Sequence, residues 1–228
     1  MHPEWGVLVP TRFISIAEES GLIVPIGRWV LQQACQAIKS WGKAGLHLGS
    51  VAVNISALEF RHKDFIQGLR DVLYETGLAP YRLQLEITES VLMRDAEVSA
   101  AILHQLKDMG IQLAVDDFGT GYSSLSYLNN FPIDILKINR SFIRDIGTIQ
   151  SNNVIVSAII GIGTGLHQHV VAEGVETQAQ LDFLKTHHCA EGQGNFFSPP
   201  LADKDFTKIL VTRLSGNSQL QSRVVINA

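Results

Sequence analysis

Short aliphatic runs alternate with amphipathic helical patterns along most of the 228-residue chain, and this alternation limits the fold more than any other feature. The helical patterns lie at 11–19, 26–41, 65–76, 96–109, 123–129, 152–165 and 177–187. The strand-like runs lie at 51–55, 83–87, 113–115, 135–138, 169–172 and, more weakly, 189–194. Several runs are apolar on both faces, as a parallel sheet covered by helices requires. The pattern therefore predicts an α/β fold.

Two architectures fit this alternation, an open doubly wound sheet and a (β/α)8-type barrel. The first needs a glycine-rich phosphate fingerprint after an early strand, and the sequence contains neither G-x-G-x-x-G nor a P-loop. The barrel is therefore favoured. No linker-like stretch divides the chain before the pattern dissolves near residue 211. We therefore predict a barrel domain over 1–210 and a tail or linker over 211–228.

Composition argues against several classes of function. The chain has 18 Lys and Arg residues against 22 Asp and Glu, a net charge of −4, whereas binding a nucleic-acid polymer needs clustered basic residues. Two cysteines, Cys35 and Cys189, are too few for a disulfide scaffold or a cysteine-based zinc site. The first residues do not resemble a signal peptide, and the most apolar stretch, 154–166, is too short to span a bilayer. We expect a cytoplasmic domain without a membrane segment.

Each predicted strand ends in a polar residue that its apolar body does not explain. In chain order these residues are Asn54, Glu86, Asp116 with Asp117, Lys137, Glu173 and Gln193. They are separated by 20 to 36 residues, about one strand-plus-helix unit each. The carboxyl ends of parallel strands meet at one rim of a barrel, where barrel enzymes keep their chemistry. We therefore predict that these side chains lie together.

The oxygen donors in this series indicate a metal site. They are Asn54, Glu86, Asp116, Asp117 and Glu173. Gathered carboxylates repel one another, and a hard divalent cation resolves that conflict, so Mg²⁺ or Mn²⁺ is preferred over zinc. Two ions bridged by a carboxylate would activate water for in-line attack on phosphorus, with Lys137 supplying positive charge. These residue types indicate phosphodiester hydrolysis.

Two other interpretations of these residues stay open. A single polar residue at a strand end is more often a turn or helix-cap residue, although six consecutive strand ends argue for a site. Lys137 could instead form a Schiff base with a carbonyl substrate, as in barrel aldolases. The surrounding carboxylates favour the metal site over the Schiff base.

The same segments resemble the EAL-domain family, the bacterial phosphodiesterases that linearise cyclic di-GMP. The resemblance covers approximately residues 1–210. Its motifs, in family order, are HPEWGVLVPTRFISIAEESGLI, VNIS, LEITES, DDFGTGYSSLSYL, LKIN, VVAEGVET and QGNFFSPPL. It implies a modified (β/α)8 barrel that hydrolyses cyclic di-GMP to linear pGpG with Mg²⁺ or Mn²⁺ in a two-metal site.

The resemblance also implies roles for individual residues. Metal ligation falls on the five oxygen donors, with Asp116 bridging the two ions. Catalytic roles fall on Lys137, Asp117 and Glu176. Contacts with the substrate, or with the loop after the third strand, fall on Gln193, Glu89, Gly119, Thr120, Gly121 and Ser123. In the family this loop couples metal binding to dimerisation, so a homodimer is implied.

Three departures from the family pattern bear on activity. The Glu-Ala-Leu segment, which supplies a metal-ligand glutamate just upstream of the match at His2-Pro3, does not occur in the sequence. We therefore expect a barrel without its first strand, from a longer multidomain protein. Asn139 stands where an aspartate is usual, and Asn195 where a tyrosine is common. The family's glycine-cysteine-aspartate reads His188-Cys189-Ala190.

These departures leave two functions open. One is a cyclic di-GMP phosphodiesterase whose activity is weakened or lost in this chain. The other is an EAL-like module that binds cyclic di-GMP or a protein partner without hydrolysis. The loss of one metal ligand can lower the rate by orders of magnitude while other ligand contacts persist.

Overall fold

Six parallel strands form one sheet in the computed structural model, which describes residues 4, 6, 8–46, 48–121, 125–147 and 150–216. The strands are β1 (Val51–Asn54), β2 (Leu83–Thr88), β3 (Gln112–Phe118), β4 (Ile135–Ile138), β5 (His169–Glu173) and β6 (Glu191–Gln193). Their order in the sheet is their order in the chain. The sheet curls into a half-barrel, which confirms the predicted barrel-type α/β class.

Helices precede β1, occupy the connections between the strands and follow β6. They are α1 (Ile14–Glu19), α2 (Ile23–Lys43), α3 (Ala57–Phe60), α4 (Phe65–Thr76), α5 (Glu89–Met93), α6 (Ala96–Asp108), α7 (Leu125–Asn130), α8 (Arg140–Arg144), α9 (Gln150–Gly165), α10 (Gln178–Thr186) and α11 (Asp203–Gly216). Short 3-10 turns cover Pro10–Arg12 and Pro80–Arg82.

Local sequence signals explain where several helices begin and end. Ser56 before α3 and Thr177 before α10 each form a capping box with the residue three positions later. Gly77 closes α4 in the left-handed conformation, with φ of 61°, which glycine adopts without steric cost. None of the helices in the described ranges is long and apolar enough to cross a membrane.

The predicted elements are present, with different bounds. β3 runs to Phe118, beyond the predicted end at residue 115, because two polar residues continue the strand. The helix predicted at 123–129 is described from Leu125. Helix α11 was not predicted, and it continues past the predicted domain end at residue 210. The short helices α3, α5 and α8 were not predicted, because four or five residues are too few to show helical periodicity.

The two faces of the sheet differ in what they bury. On β3, Leu113 and Val115 belong to the main core together with the helices, whereas Ala114 belongs to a separate small cluster with Ile135 and Val171. Successive side chains of a strand point to opposite faces, so Ala114, Ile135 and Val171 lie on the face away from the helices. This is the concave face of the curled sheet. This face carries the site described next.

Candidate functional site

The polar residues of the concave face converge on the ammonium group of Lys137. Lys137 follows Ile135 by two positions in β4 and is only 1% exposed. Its Nζ atom lies 2.5 Å from Glu86 Oε2, 2.6 Å from Glu173 Oε1 and 3.4 Å from Asp116 Oδ1. The structure thus brings together residues from β2, β3, β4 and β5, as their positions at the strand ends predict.

Electrostatics keeps Lys137 charged. Burial by itself would lower the pKa of Lys137, but the carboxylates of Glu86, Glu173 and Asp116 raise it above the ordinary lysine value. The lysine is therefore a fixed cation at neutral pH. It offsets only part of the negative charge, since three carboxylates surround one ammonium group.

Two of the carboxylates have raised pKa values. Burial raises the pKa of Glu173 to about 7, although Lys137 acts in the opposite direction. Burial also raises the pKa of Glu86, whose Oε1 atom accepts a hydrogen bond of 3.0 Å from Gln84 Nε2. Strongly shifted carboxylates in a concave site are typical of functional sites.

A bulge in β3 lets two consecutive aspartates contribute to the site. Val115 pairs with Leu136 and Phe118 with Ile138, so three steps along β3 match two along β4. The extra residue falls at Asp116 and Asp117, and Asp117 adopts the left-handed conformation with φ of 55°. The backbone N–H of Asp117 donates to Asp116 Oδ1 at 2.9 Å. In a regular strand, adjacent side chains would point to opposite faces.

Three carboxylates are close enough to hold one cation. Asp116, Asp117 and Glu173 each offer an oxygen, and these atoms lie within 4.8 Å of one another. The donor set is all oxygen, which suits a hard divalent cation such as Mg²⁺ or Mn²⁺. Glu86 is not in this group; its Oε1 atom accepts from Gln84 and its Oε2 atom from Lys137.

Other predicted residues lie around the same rim. Asn54 ends β1 in register with Glu86 and is exposed. Gln193 pairs in register with Glu173, and its Oε1 atom is buried without a hydrogen-bond partner among the described residues. Glu176 is exposed in the loop after β5, with its backbone N–H donating to Gln180 Oε1.

The loop after β3 is tied to α5 by a buried glutamate. Glu89 Oε2 accepts a hydrogen bond of 3.0 Å from the backbone N–H of Gly119, and a side chain at Gly121 would meet Glu89 Oε1 at 3.4 Å. Thr120 Oγ1 donates to the carbonyl of Asp117 at 2.9 Å. Ser123 lies outside the described residues.

Comparison with known proteins identifies the family. The EAL domain family model matches residues 1–200. The chain belongs to the EAL domain family. It is 45% identical over 200 residues to the bifunctional diguanylate cyclase/cyclic di-GMP phosphodiesterase MucR and to the cyclic di-GMP phosphodiesterase NbdA, both of Pseudomonas aeruginosa. Each alignment covers 88% of this chain, but only 29% of MucR and 26% of NbdA.

Solved EAL structures share the fold. The PaMucR phosphodiesterase in complex with c-di-GMP superposes with a TM-score of 0.88 at 44% identity, over 90% of this chain and 83% of that one. The EAL enzyme Bd1971 in its cAMP and cyclic-di-GMP bound form gives 0.86 at 33% identity, over 92% of this chain and 57% of that one. The family assignment and the barrel-type fold are thus confirmed.

Two residues of this EAL domain complete the site and were not assigned a role from the sequence. Gln84 donates a hydrogen bond to Glu86. The sequence could have indicated this contact, because residues two apart in a strand lie on the same face. Asn139 donates a hydrogen bond from Nδ2 to Asp117 Oδ1, while its own Oδ1 accepts from the backbone N–H of Ser141. An amide at this position can donate to Asp117, which a carboxylate cannot do when ionised.

Proposed function

We propose that this EAL domain hydrolyses cyclic di-GMP to linear pGpG with Mg²⁺ or Mn²⁺ as cofactor. The observation that carries the proposal is the grouping of Asp116, Asp117 and Glu173 beside Lys137 at the carboxyl ends of the strands. The similarity to relatives named as cyclic di-GMP phosphodiesterases, and to a structure in complex with c-di-GMP, supports this substrate.

The residues present fit a divalent cation. We infer that Asp116, Asp117 and Glu173 would hold it and that Asn54 and Glu86, on the neighbouring strands, would supply further oxygen ligands. Such a cation supplies Lewis-acid polarisation of a phosphate oxygen. Burial raises the pKa of Glu173 to about 7, so a cation that binds there would displace the proton from Glu173.

Lys137 serves this proposal as a cation rather than as a base. Its raised pKa keeps it protonated at neutral pH, so it can stabilise negative charge that develops on the phosphate. The same property argues against the Schiff-base alternative, because attack on a carbonyl needs the neutral amine. Glu89 positions the loop that contains Gly119, Thr120 and Gly121.

The proposal extends to assembly and location. The substrate or the dimer partner contacts Gln193, Glu176 and the loop after β3. The domain, over residues 1–210, acts in the cytoplasm as a homodimer. Light scattering of the purified chain, with and without Mn²⁺, measures the oligomeric state. A monomer at all concentrations tested would contradict the dimer.

A turnover assay with isosteric variants tests the reaction. The purified chain is incubated with cyclic di-GMP and Mn²⁺, and both bound ligand and linear product are measured. Glu86→Gln and Asp116→Asn keep the side-chain shape, so we expect each to lower turnover about 100-fold. Glu97→Gln, an exposed glutamate on α6, is the matched control and should leave turnover unchanged.

The assay separates the two functions left open by the sequence. Product formation that depends on Glu86 and Asp116 supports the phosphodiesterase. Saturable binding of cyclic di-GMP without product identifies a receptor and overturns the hydrolytic proposal. Absence of both binding and product rejects cyclic di-GMP as the ligand of this chain.

A further inference from the structure

A small cavity lies between α3 and α5, which follow β1 and β2 at the carboxyl side of the sheet. It has a volume of about 260 Å³ and is lined by Ala57, Arg61, Ser90, Val91 and Arg94. None of these five residues belongs to the carboxylate cluster around Lys137. Two arginines and a hydroxyl in one small cavity suggest a ligand of opposite charge.

Arg61 is held in place by neutral acceptors. Its Nη2 atom donates to the carbonyl of Val91 at 3.1 Å and to Ser99 Oγ at 3.0 Å, and it lies 3.5 Å from the carbonyl of Asp95. Its guanidinium also lies 5.5 Å from the ring centre of Phe60. All three contacts use Nη2, so among the described residues Nε and Nη1 keep their donors for a ligand.

The positive charge in the cavity has no counter-ion within the described part of the chain. Across the described part of the chain, no carboxylate oxygen lies within 4.0 Å of the Arg61 or Arg94 guanidinium. The carboxylate of Asp95 is the neighbour in sequence, but its Oδ1 atom accepts from the N–H of Val98 as the cap of α6. Arg61 is half-buried and held in place without a carboxylate partner in the described ranges, so its charge is available to bind an anion.

A neighbouring cavity extends the positive surface. It has a volume of about 650 Å³, shares Arg61, and is lined also by His62 and Lys63. Lys63 also has no ion-pair partner in the described ranges, so it places a further unpaired cationic side chain beside Arg61.

We propose that Arg61 and Arg94 bind a phosphate-type anion in this cavity, with Ser90 as a further donor. The planar guanidinium presents donors in a fork that matches phosphate oxygens, and two arginines match the double negative charge of a phosphate monoester or inorganic phosphate. The site is built from residues outside the carboxylate cluster. It therefore stands whether or not the domain hydrolyses cyclic di-GMP.

Titration with inorganic phosphate tests the site. The full chain is kept in EDTA, so that no metal contributes, and the ionic strength is held constant with NaCl. Amide chemical shifts are followed by NMR, and we expect saturable changes centred on residues 57, 61, 90, 91 and 94. Arg94 is exposed, so Arg94→Gln should fold normally and weaken binding about tenfold, the value of one charged hydrogen bond.

Matched variants separate a specific site from general attraction. Arg70→Gln removes one positive charge from an exposed position on α4 and should leave phosphate binding unchanged. Arg94→Glu should abolish binding. Changes that do not saturate, that map elsewhere, or that weaken equally in Arg70→Gln and Arg94→Gln would overturn the proposal.

Competition identifies the source of the phosphate. If 5′-GMP displaces inorganic phosphate and guanosine does not, the site accepts a phosphate carried by a nucleotide. If neither displaces it, the site takes free phosphate. Displacement by guanosine would mean that the base rather than the phosphate is recognised, and the proposal would be rejected.

Discussion

Replacing Lys137 with methionine would leave a buried group of carboxylates without its cation. The ammonium lies within hydrogen-bond distance of Glu86 and Glu173, and it is 1% exposed. Methionine has a similar length and no charge. Removing one partner of a buried ion pair costs about 3–5 kcal/mol, because the other charge stays buried and uncompensated. We expect Lys137→Met to lose about that much unfolding free energy at pH 8 in EDTA.

The loss should depend on pH in a defined direction. The pKa of Glu173 is about 7 in the folded protein and 4.5 in the reference state, so between these values the folded protein binds more protons. The contribution of Glu173 to the free energy of unfolding is fully present below pH 4.5 and is lost as the pH rises through 7. Between these limits the free energy of unfolding falls by about 3 kcal/mol. Without Lys137 the pKa values of Glu86 and Glu173 rise further. The deficit of Lys137→Met should therefore be smaller at pH 5 than at pH 8.

Urea unfolding at the two pH values measures these differences. Lys107→Met is the matched control, since Lys107 pairs with Asp134 at 2.7 Å but both side chains are about one-third exposed. That pair should contribute no more than about 1 kcal/mol. A Lys137→Met protein as stable as Lys107→Met at pH 8, or one whose deficit grows towards acid, would refute the electrostatic description of the site.

Three further predictions concern the backbone and the cation site. Gly194→Ala would bring a Cβ atom against the carbonyl oxygen of Val175 and should lower the free energy of unfolding by about 3 kcal/mol or more. Gly161→Ala in α9 meets nothing within 4 Å and should raise it by about 0.5–1 kcal/mol. Thermal melts of the two variants measure the difference. Asn139→Asp would place a second carboxylate beside Asp117, so we expect a lower melting temperature in EDTA but Mn²⁺ binding that is several-fold tighter by calorimetry. Unchanged Mn²⁺ affinity would exclude a role for this position. The Mn²⁺ affinity of the unaltered chain should fall about tenfold per pH unit below 7, because a proton on Glu173 must first leave; a flat profile from pH 5 to 7 would contradict this.

The strand ends were predictable because a parallel sheet imposes a simple rule on them. Glu86, Lys137 and Glu173 each follow an apolar strand body, and parallel strands bring such ends to one rim. The sequence could not show that Lys137 would contact three carboxylates at once, because those distances depend on the curl of the sheet. The short helices α3, α5 and α8 were equally out of reach, since capping by Ser56 or Asn139 rather than periodicity determines where they begin.

Asp116 and Asp117 show what pattern reasoning can and cannot supply. Two acidic residues in succession conflict with the alternation of a strand, and that conflict signals an irregularity. The signal does not reveal whether a bulge, a turn or the end of the strand resolves it. Gln84 was overlooked for a different reason, because a glutamine between leucines is ordinarily assigned to packing.

The bulge also has a consequence for how the site responds to loosening of the protein. The spacing between the Asp116 and Asp117 carboxylates is set by one peptide unit, whereas Glu173 reaches them only through the pairing of β3, β4 and β5. When thermal motion separates the strands, the two aspartates stay close to each other, whereas the distance from them to Glu173 increases. The two aspartates, which are adjacent in the sequence, would thus be the last to release an ion. Glu173, which lies on another strand, would be the first.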